Sequence, residues 1–184
     1  MKVGFFRLCA AALVVASVGS CAQAPSPGPS GTTELDYLGY EGRYYEIARL
    51  PTFSERNCAS DVVATFLKRT DGDVSIINQC VDGNKSSVMD IGRLVLPPAS
   101  TPTGEMSFGG DAIGWWPWFS GTYRVLEVAG DFSYVMVGDW GGSRLWILSR
   151  TRQMSDDTYR RLVARAAERG YDTSRLVRSV QTGI

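Results

Sequence analysis

Short strand-like segments, separated by turn signals roughly every 8–15 residues, constrain the fold of this 184-residue chain more than any other feature. Aromatic and β-branched residues dominate the segments, and the turn signals include Asp71-Gly72 and Gly130-Asp131. Eight segments fit this description: 43–50, 60–68, 74–81, 87–96, 105–108, 121–128, 132–139 and 144–150. Their spacing predicts an all-β sandwich or barrel, and closing eight antiparallel strands into a barrel removes exposed strand edges.

One segment near the C-terminus has helical periodicity instead. Ser155 predicts the N-cap, Asp156 and Asp157 favour the positive end of the helix dipole, and Gly170 predicts the end of the helix. An apolar stripe recurs at helical spacing through Tyr159, Leu162, Val163, Ala166 and Ala167. We expect this helix to pack against the barrel, with its arginines in solvent or against an anionic membrane, and a short strand or extended tail to follow at 176–181.

The N-terminus predicts export. Lys2 and Arg7 form a short positive region before an apolar run at 8–18. This run is too short to cross a bilayer as a helix. Val18-Gly19-Ser20-Cys21 resembles the lipobox of bacterial lipoproteins, in which the cysteine becomes the first mature residue and carries acyl groups such as palmitate. We expect a lipoprotein signal peptide at 1–20, a lipidated N-terminus and tether at 21–34, and one folded domain at 35–184. The alternative is an ordinary signal peptide cleaved after residues 22–24.

Composition excludes several classes of function. The chain has no histidine, so Ser-His-Asp and Cys-His catalytic sites are excluded, as are sites for zinc or haem that use histidine ligands. Nineteen basic residues balance nineteen acidic ones, which gives no reason to expect nucleic acid as a partner. We therefore expect a protein that is not an enzyme and that uses no cofactor and no metal.

Two motifs resemble the signatures of bacterial outer-membrane lipocalins. Residues 42–49 (GRYYEIAR) resemble the first signature, although Tyr44 stands where that family has tryptophan. Residues 145–151 (LWILSRT) resemble the last-strand signature, whose arginine matches Arg150. The resemblance extends over about residues 35–183 and implies an eight-stranded antiparallel up-and-down barrel, the lipocalin calyx, with the helix packed outside. It also implies that Gly42, Tyr44 and Arg150 have a structural role, with Arg150 over the ring of Tyr44 at the closed end.

The cysteines fit an exported domain. Cys9 leaves with the signal peptide and Cys21 takes lipid, which leaves Cys58 and Cys80 as an even pair and predicts a disulfide. In lipocalin topology both of these residues lie at the open end of the barrel. The alternative is a reactive thiol at Cys58 or Cys80, as in the few lipocalins that are isomerases.

A barrel of this size can hold one small ligand. Strand alternation places Tyr44, Glu46 and Ala48 on one face. The resemblance implies that Tyr44 points inward, so Glu46 is expected in the lumen too, paired with a ligand head group or with an interior arginine. By family analogy, several aromatic residues lie in loops at the open end, where they form an apolar portal or dimer contact, or pack against the rim: Phe53, Trp115, Trp116, Trp118, Phe119 and Trp140.

The resemblance implies a lipid-anchored lipocalin of the bacterial envelope, attached to the outer membrane, that binds, transports or stores a fatty acid or lysophospholipid. The ligand-binding residues expected are Glu46 and the loop aromatics Phe53, Trp116, Trp118, Phe119 and Trp140. Two alternatives stay open at this point. One is a thiol-dependent enzyme on the same barrel, and the other is a structural lipoprotein of the envelope that takes no ligand.

Overall fold

The computed structural model describes residues 39–53, 55–95, 105–109 and 121–183. The signal peptide predicted at 1–20, Cys21 and the tether at 21–34 lie outside these residues. Four of the loop aromatics also lie outside them, namely Trp115, Trp116, Trp118 and Phe119.

Nine strands, one α-helix and one short 3₁₀ helix make up the described chain. The strands are β1 (Gly42–Arg49), β2 (Cys58–Lys68), β3 (Val74–Asp82), β4 (Ser87–Val95), β5 (Glu105–Gly109), β6 (Gly121–Val128), β7 (Tyr134–Asp139), β8 (Leu145–Ser149) and β9 (Val177–Arg178). Helix α1 spans Asp156–Glu168, and the 3₁₀ helix spans Thr173–Arg175.

The strands form one antiparallel sheet that closes on itself through β1. The order is β2-β3-β4-β5-β6-β7-β8-β1-β9, and an additional pairing joins β1 to β2. Tyr45 of β1 lies opposite Val63 of β2 on one side and opposite Ser149 of β8 on the other. The predicted eight-stranded up-and-down barrel is confirmed, and β9 adds a short ninth strand beside β1.

The sheet separates two apolar clusters. The inner cluster fills the closed half of the barrel and includes Tyr44, Phe66, Ile76, Leu94 and Leu148. The outer cluster joins β1, β7 and β8 to α1 and to the chain that follows it, through Ile47, Met136, Ile147, Leu162 and Tyr171, among others. The alternation of inner and outer residues along β1, β7 and β8 therefore supplies both clusters.

Helix α1 begins and ends as its sequence indicates. The side chain of Ser155 accepts a hydrogen bond from the backbone N–H of Thr158, and Gly170 has φ +87° just beyond the last turn. Leu162 and Ala166 are buried against the barrel. Ala167, predicted to belong to the apolar stripe, is exposed instead, because it lies at the edge of the face that meets the sheet.

The closed end is fastened by Arg150. Its guanidinium carbon lies 3.9 Å from the centroid of the Tyr44 ring, which is the contact that the lipocalin resemblance implies. Its nitrogens also donate to the backbone carbonyls of Gly39, Glu41 and Arg43 at 2.8, 2.8 and 3.1 Å. One cation therefore holds the chain leading into β1 against the floor of the barrel.

Arg150→Ala should lower the free energy of unfolding by about 3 kcal/mol, because it removes a cation–π contact and hydrogen bonds from a charged donor. Arg150→Lys should cost most of the same free energy. The planar guanidinium of arginine reaches three carbonyls at once, and the compact ammonium of lysine does not. Arg160→Ala is the control, because Arg160 is 71% exposed and should cost roughly 0–0.5 kcal/mol. Urea unfolding followed by tryptophan fluorescence measures these differences, and equal losses for Arg150 and Arg160 would contradict the assignment.

Candidate functional site

The barrel encloses a cavity of about 350 Å³ that opens at one end. Most of its lining is apolar, and seven polar residues contribute the rest. The apolar lining is Pro51, Phe53, Val62, Ala64, Phe66, Ile76, Leu94, Val137, Trp146 and Leu148, and the polar lining is Glu46, Thr52, Glu55, Asn78, Tyr123, Ser143 and Arg144. The volume falls near the lower end of the range of about 300–1,000 Å³ that small-molecule pockets occupy.

Polarity changes along the barrel axis. Phe66, Ile76 and Leu94 lie on strand segments near the closed end and form an apolar floor. Glu55 and Arg144 lie beside the open end, in the chain after β1 and just before β8. The cavity thus has an apolar bottom and a charged mouth, which matches a molecule with one apolar end and one polar end.

Glu46 reaches the lumen from the middle of β1 and is only 1% exposed. A bulge at Ile47 adds one residue to β1 against β8, because Glu46 pairs with Leu148 while Ala48 pairs with Ile147. The bulge turns Ala48 outward into the cluster beneath α1, so the prediction that Ala48 shares the face of Glu46 was wrong. It also returns Arg49 to the side of Glu46.

The predicted interior arginine is Arg49. Its Nη1 lies 2.6 Å from Oε1 of Glu46, and its Nε lies 3.4 Å from Oε2 of Glu55. Ser179 donates a further hydrogen bond to Glu46, and Trp146 donates its indole N–H to Glu55 at 3.0 Å. Two carboxylates therefore share one guanidinium at the side of the cavity.

This arrangement disfavours ionisation of the Glu46 carboxyl. Burial and the nearby charge of Glu55 raise the pKa of Glu46 from its ordinary value near 4.5 to about 7, against the opposing effects of Arg49 and of the hydrogen bond from Ser179. Glu46 can therefore change its protonation state near neutral pH inside an apolar cavity. Across the mouth, Arg144 donates to the hydroxyl of Tyr123 at 2.6 Å.

Phe53 and Trp140, both proposed as ligand residues, lie at the open end. Phe53 lines the cavity and is 58% exposed, with the guanidinium of Arg56 stacked 3.8 Å from its ring centroid. Trp140 is 57% exposed beneath Arg124 at 4.0 Å, and it does not line the cavity. Trp116, Trp118 and Phe119 lie outside the described residues, so their role stays a prediction.

The mouth is braced by a disulfide between Cys58, at the start of β2, and Cys80, near the end of β3. The two Cα atoms are 5.6 Å apart. The predicted pairing is confirmed, and it ties the chain that enters β2 to the neighbouring strand at the open end of the barrel.

Sequence reasoning did not find Arg49, Glu55, Asn78, Arg144 or Ser179. Arg49 was hidden by the bulge, which a strict two-residue alternation cannot anticipate. Ser179 lies 133 positions from Glu46, and no local pattern marks such a contact. Only the position of Glu55, in a mouth loop after a lumen strand, was a signal that could have been used.

Within the ranges that the structure describes, no group of three or more cysteine, aspartate or glutamate side chains is placed to hold a metal ion. The same ranges contain no helix with the length and hydropathy needed to cross a bilayer.

The sequence matches the family described as "Lipocalin-like domain" over residues 35–181. It is 32% identical to Temperature-induced lipocalin-1 of Arabidopsis thaliana over 155 residues, which cover 80% of each chain. It is 31% identical to the outer membrane lipoprotein Blc of Escherichia coli K12 over 181 residues, which cover 96% of this chain and 97% of Blc.

Solved structures resemble the barrel at lower sequence identity. Lobster apocrustacyanin A1 superposes with a TM-score of 0.62 at 18% identity, over 85% of this chain and 91% of its own. Insecticyanin from the tobacco hornworm Manduca sexta superposes with a TM-score of 0.58 at 18% identity, over 85% of this chain and 87% of its own. At these identities the likeness concerns the fold alone.

Glu46→Gln should flatten the pH dependence of stability. Because the pKa of Glu46 is about 7 in the folded chain and near 4.5 when unfolded, the folded state binds more protons between these values. The stabilisation is fully present below pH 4.5 and is lost as the pH rises to about 7. Relative to Glu46→Gln, the unmodified chain should lose on the order of 2 kcal/mol across this window in urea titrations.

Glu168→Gln is the matched control, because the side chain of Glu168 is 63% exposed on α1 and its removal should leave the pH profile unchanged. If stability falls equally with pH from 4.5 to 8 in the original chain and in Glu46→Gln, Glu46 ionises normally and the prediction is wrong.

Proposed function

The chain belongs to the lipocalin family, and we propose that its barrel binds one single-chain amphiphile, a fatty acid or a lysophospholipid, for transport or storage in the bacterial envelope. Lipocalins bind small hydrophobic ligands, and the present cavity is suited to such a ligand. The observation that carries the proposal is the apolar floor of the 350 Å³ cavity beneath a charged mouth.

An acyl chain would lie along the barrel axis with its end on the floor. Each methylene removed from water contributes about 0.8 kcal/mol, so the apolar wall supplies most of the affinity. The polar head would remain at the open end beside Glu55 and Arg144, where charge is already present and partly solvated. A cavity of this volume favours one acyl chain over two.

The N-terminal lipobox and the relationship to Blc support attachment of this barrel to the outer membrane through acylated Cys21. Several acyl chains on one cysteine give stable anchoring, which a single chain does not. A binding site held at the envelope would exchange ligand with the membrane to which it is tethered.

The thiol-dependent alternative loses its nucleophile in this structure. Cys58 and Cys80 are bonded to each other, so neither presents the thiolate that such chemistry requires. A ligand-free structural role would not need an apolar hollow below polar lumen groups.

Ala64→Phe should weaken binding of palmitate and of a 16-carbon lysophospholipid at least tenfold, because the added ring occupies the lumen. Thr65→Phe is the matched control, since the adjacent side chain points to the opposite face of β2 and should leave affinity unchanged. Competition against an environment-sensitive fluorescent fatty acid measures both, and thermal melts verify folding. Equal binding by the two variants would contradict a lumen site, and failure of the original chain to bind either lipid would refute the proposed function.

Cys21→Ser should abolish incorporation of radiolabelled palmitate and move the protein from the membrane fraction to the soluble fraction. Cys9→Ser, inside the predicted signal peptide, is the control and should leave labelling intact. Labelling that survives in Cys21→Ser would contradict the anchor assignment.

A further inference from the structure

A gap in the wall of the barrel separates the upper halves of β1 and β2. The β1–β2 pairing runs from Gly42 opposite Phe66 to Tyr45 opposite Val63, and it ends there. Above this point β2 carries register shifts and pairs with β3 on its other side. Glu46 and Val62 line the cavity from the two sides of the gap.

The last residues of the chain fill this gap. Residues 177–183, which we name the C-terminal strap, pair with β1 through Val177 and Arg178, opposite Arg49 and Ala48. The strap then crosses to β2, where the Asp61 N–H donates to the carbonyl of Val180 at 2.8 Å. The side-chain amide of Gln181 donates to both walls, to the carbonyls of Glu46 and Val62 at 3.0 Å each.

One residue of β2 fastens the end of the strap. The carboxylate of Asp61 accepts the N–H and hydroxyl of Thr182 at 2.8 and 2.6 Å, and the N–H of Gly183 at 3.1 Å. Asp61 has φ +54°, a left-handed conformation that residues other than glycine seldom adopt. Its backbone is therefore held in an unfavourable region while its side chain binds the strap.

The strap is held by hydrogen bonds more than by apolar burial. Val177 and Val180 are 46% and 57% exposed, so about half of each side chain is already in solvent while the strap is bound. Segments with few buried apolar contacts open locally at lower free energy than the core strands. We therefore expect the strap to open at a lower free energy than the β1–β8 and β2–β3 ladders.

The strap also contacts the lumen. Ser179 donates to the carboxyl of Glu46, and Nη1 of Arg49 lies 3.5 Å from the Ser179 hydroxyl. Removal of the strap would therefore uncover a polar group of the cavity wall, level with the middle of the barrel. An opening at this position leads from the outer surface of the sheet to the side of the lumen.

We propose that the C-terminal strap closes a side opening of the cavity between β1 and β2, and that its release from Asp61 controls ligand exchange. This rests on the proposed function, because it concerns the route by which the same lumen fills and empties. Asp61 acts as a positioning residue through the strap and does not itself contact ligand.

Asp61→Gly tests the fastening without straining the backbone, because glycine adopts φ +54° readily. In the full chain, release of a dansyl-labelled fatty acid to excess phosphatidylcholine vesicles should become at least tenfold faster in a stopped-flow assay. Lys85→Gly is the matched control, since Lys85 has φ +64° in the turn between β3 and β4 at the same end, and its rate should stay unchanged. An unchanged rate in Asp61→Gly would overturn the proposal.

A second variant locks the strap instead of releasing it. Asp61→Cys combined with Thr182→Cys should join the strap to β2 by a disulfide. The locked chain should release the probe at least tenfold more slowly, and reductant should restore the rate, with the original chain under the same reductant as control. Locked exchange at the original rate would show that ligand uses the open end and would overturn the proposal alone. Failure of the original chain to bind the probe would instead overturn the proposed function and this inference together.

Discussion

Strand β1 pairs along both of its edges, and the closed barrel depends on that double pairing. A sheet of this size with a free β1 would leave rows of unpaired backbone donors and acceptors on two edges. Pairing with β8 on one side and with β2 and β9 on the other satisfies them. It also encloses the space in which the apolar floor and the lumen carboxyl lie, so the cavity is a consequence of closure.

The same strand distributes its side chains among three environments. Tyr44 points inward to the floor, where its hydroxyl donates to the carbonyl of Phe132 at 3.1 Å. Ile47 points outward to the cluster beneath α1, and the bulge at this position lets Arg49 return to Glu46. A regular strand would direct residues three positions apart to opposite faces, and the buried carboxyl would lose its nearest cation.

Local patterns were sufficient to predict the strands, α1 and the disulfide. Turn residues, helical periodicity and a single remaining pair of cysteines can all be recognised within short stretches of the sequence. The eight predicted strands lie close to the observed ones, and Ser155 caps α1 as expected. The site was less accessible to this reasoning. Glu46 was placed in the lumen correctly, but Arg49 depends on a bulge and Ser179 on a contact across most of the chain. Neither bulges nor contacts between distant segments leave a periodic trace in sequence.

Glu46 makes the fold less stable than an apolar residue of similar size would. Its carboxyl is only 1% exposed, so its lost hydration must be compensated by protein partners. Its compensation comes from two directions, from Arg49 on its own strand and from Ser179 on the strap. If the strap controls ligand exchange as proposed, a ligand group that reached Glu46 from the lumen would compete with Ser179 for its carboxyl. Such competition would link occupancy of the cavity to closure of its wall, which an entirely apolar lumen could not do.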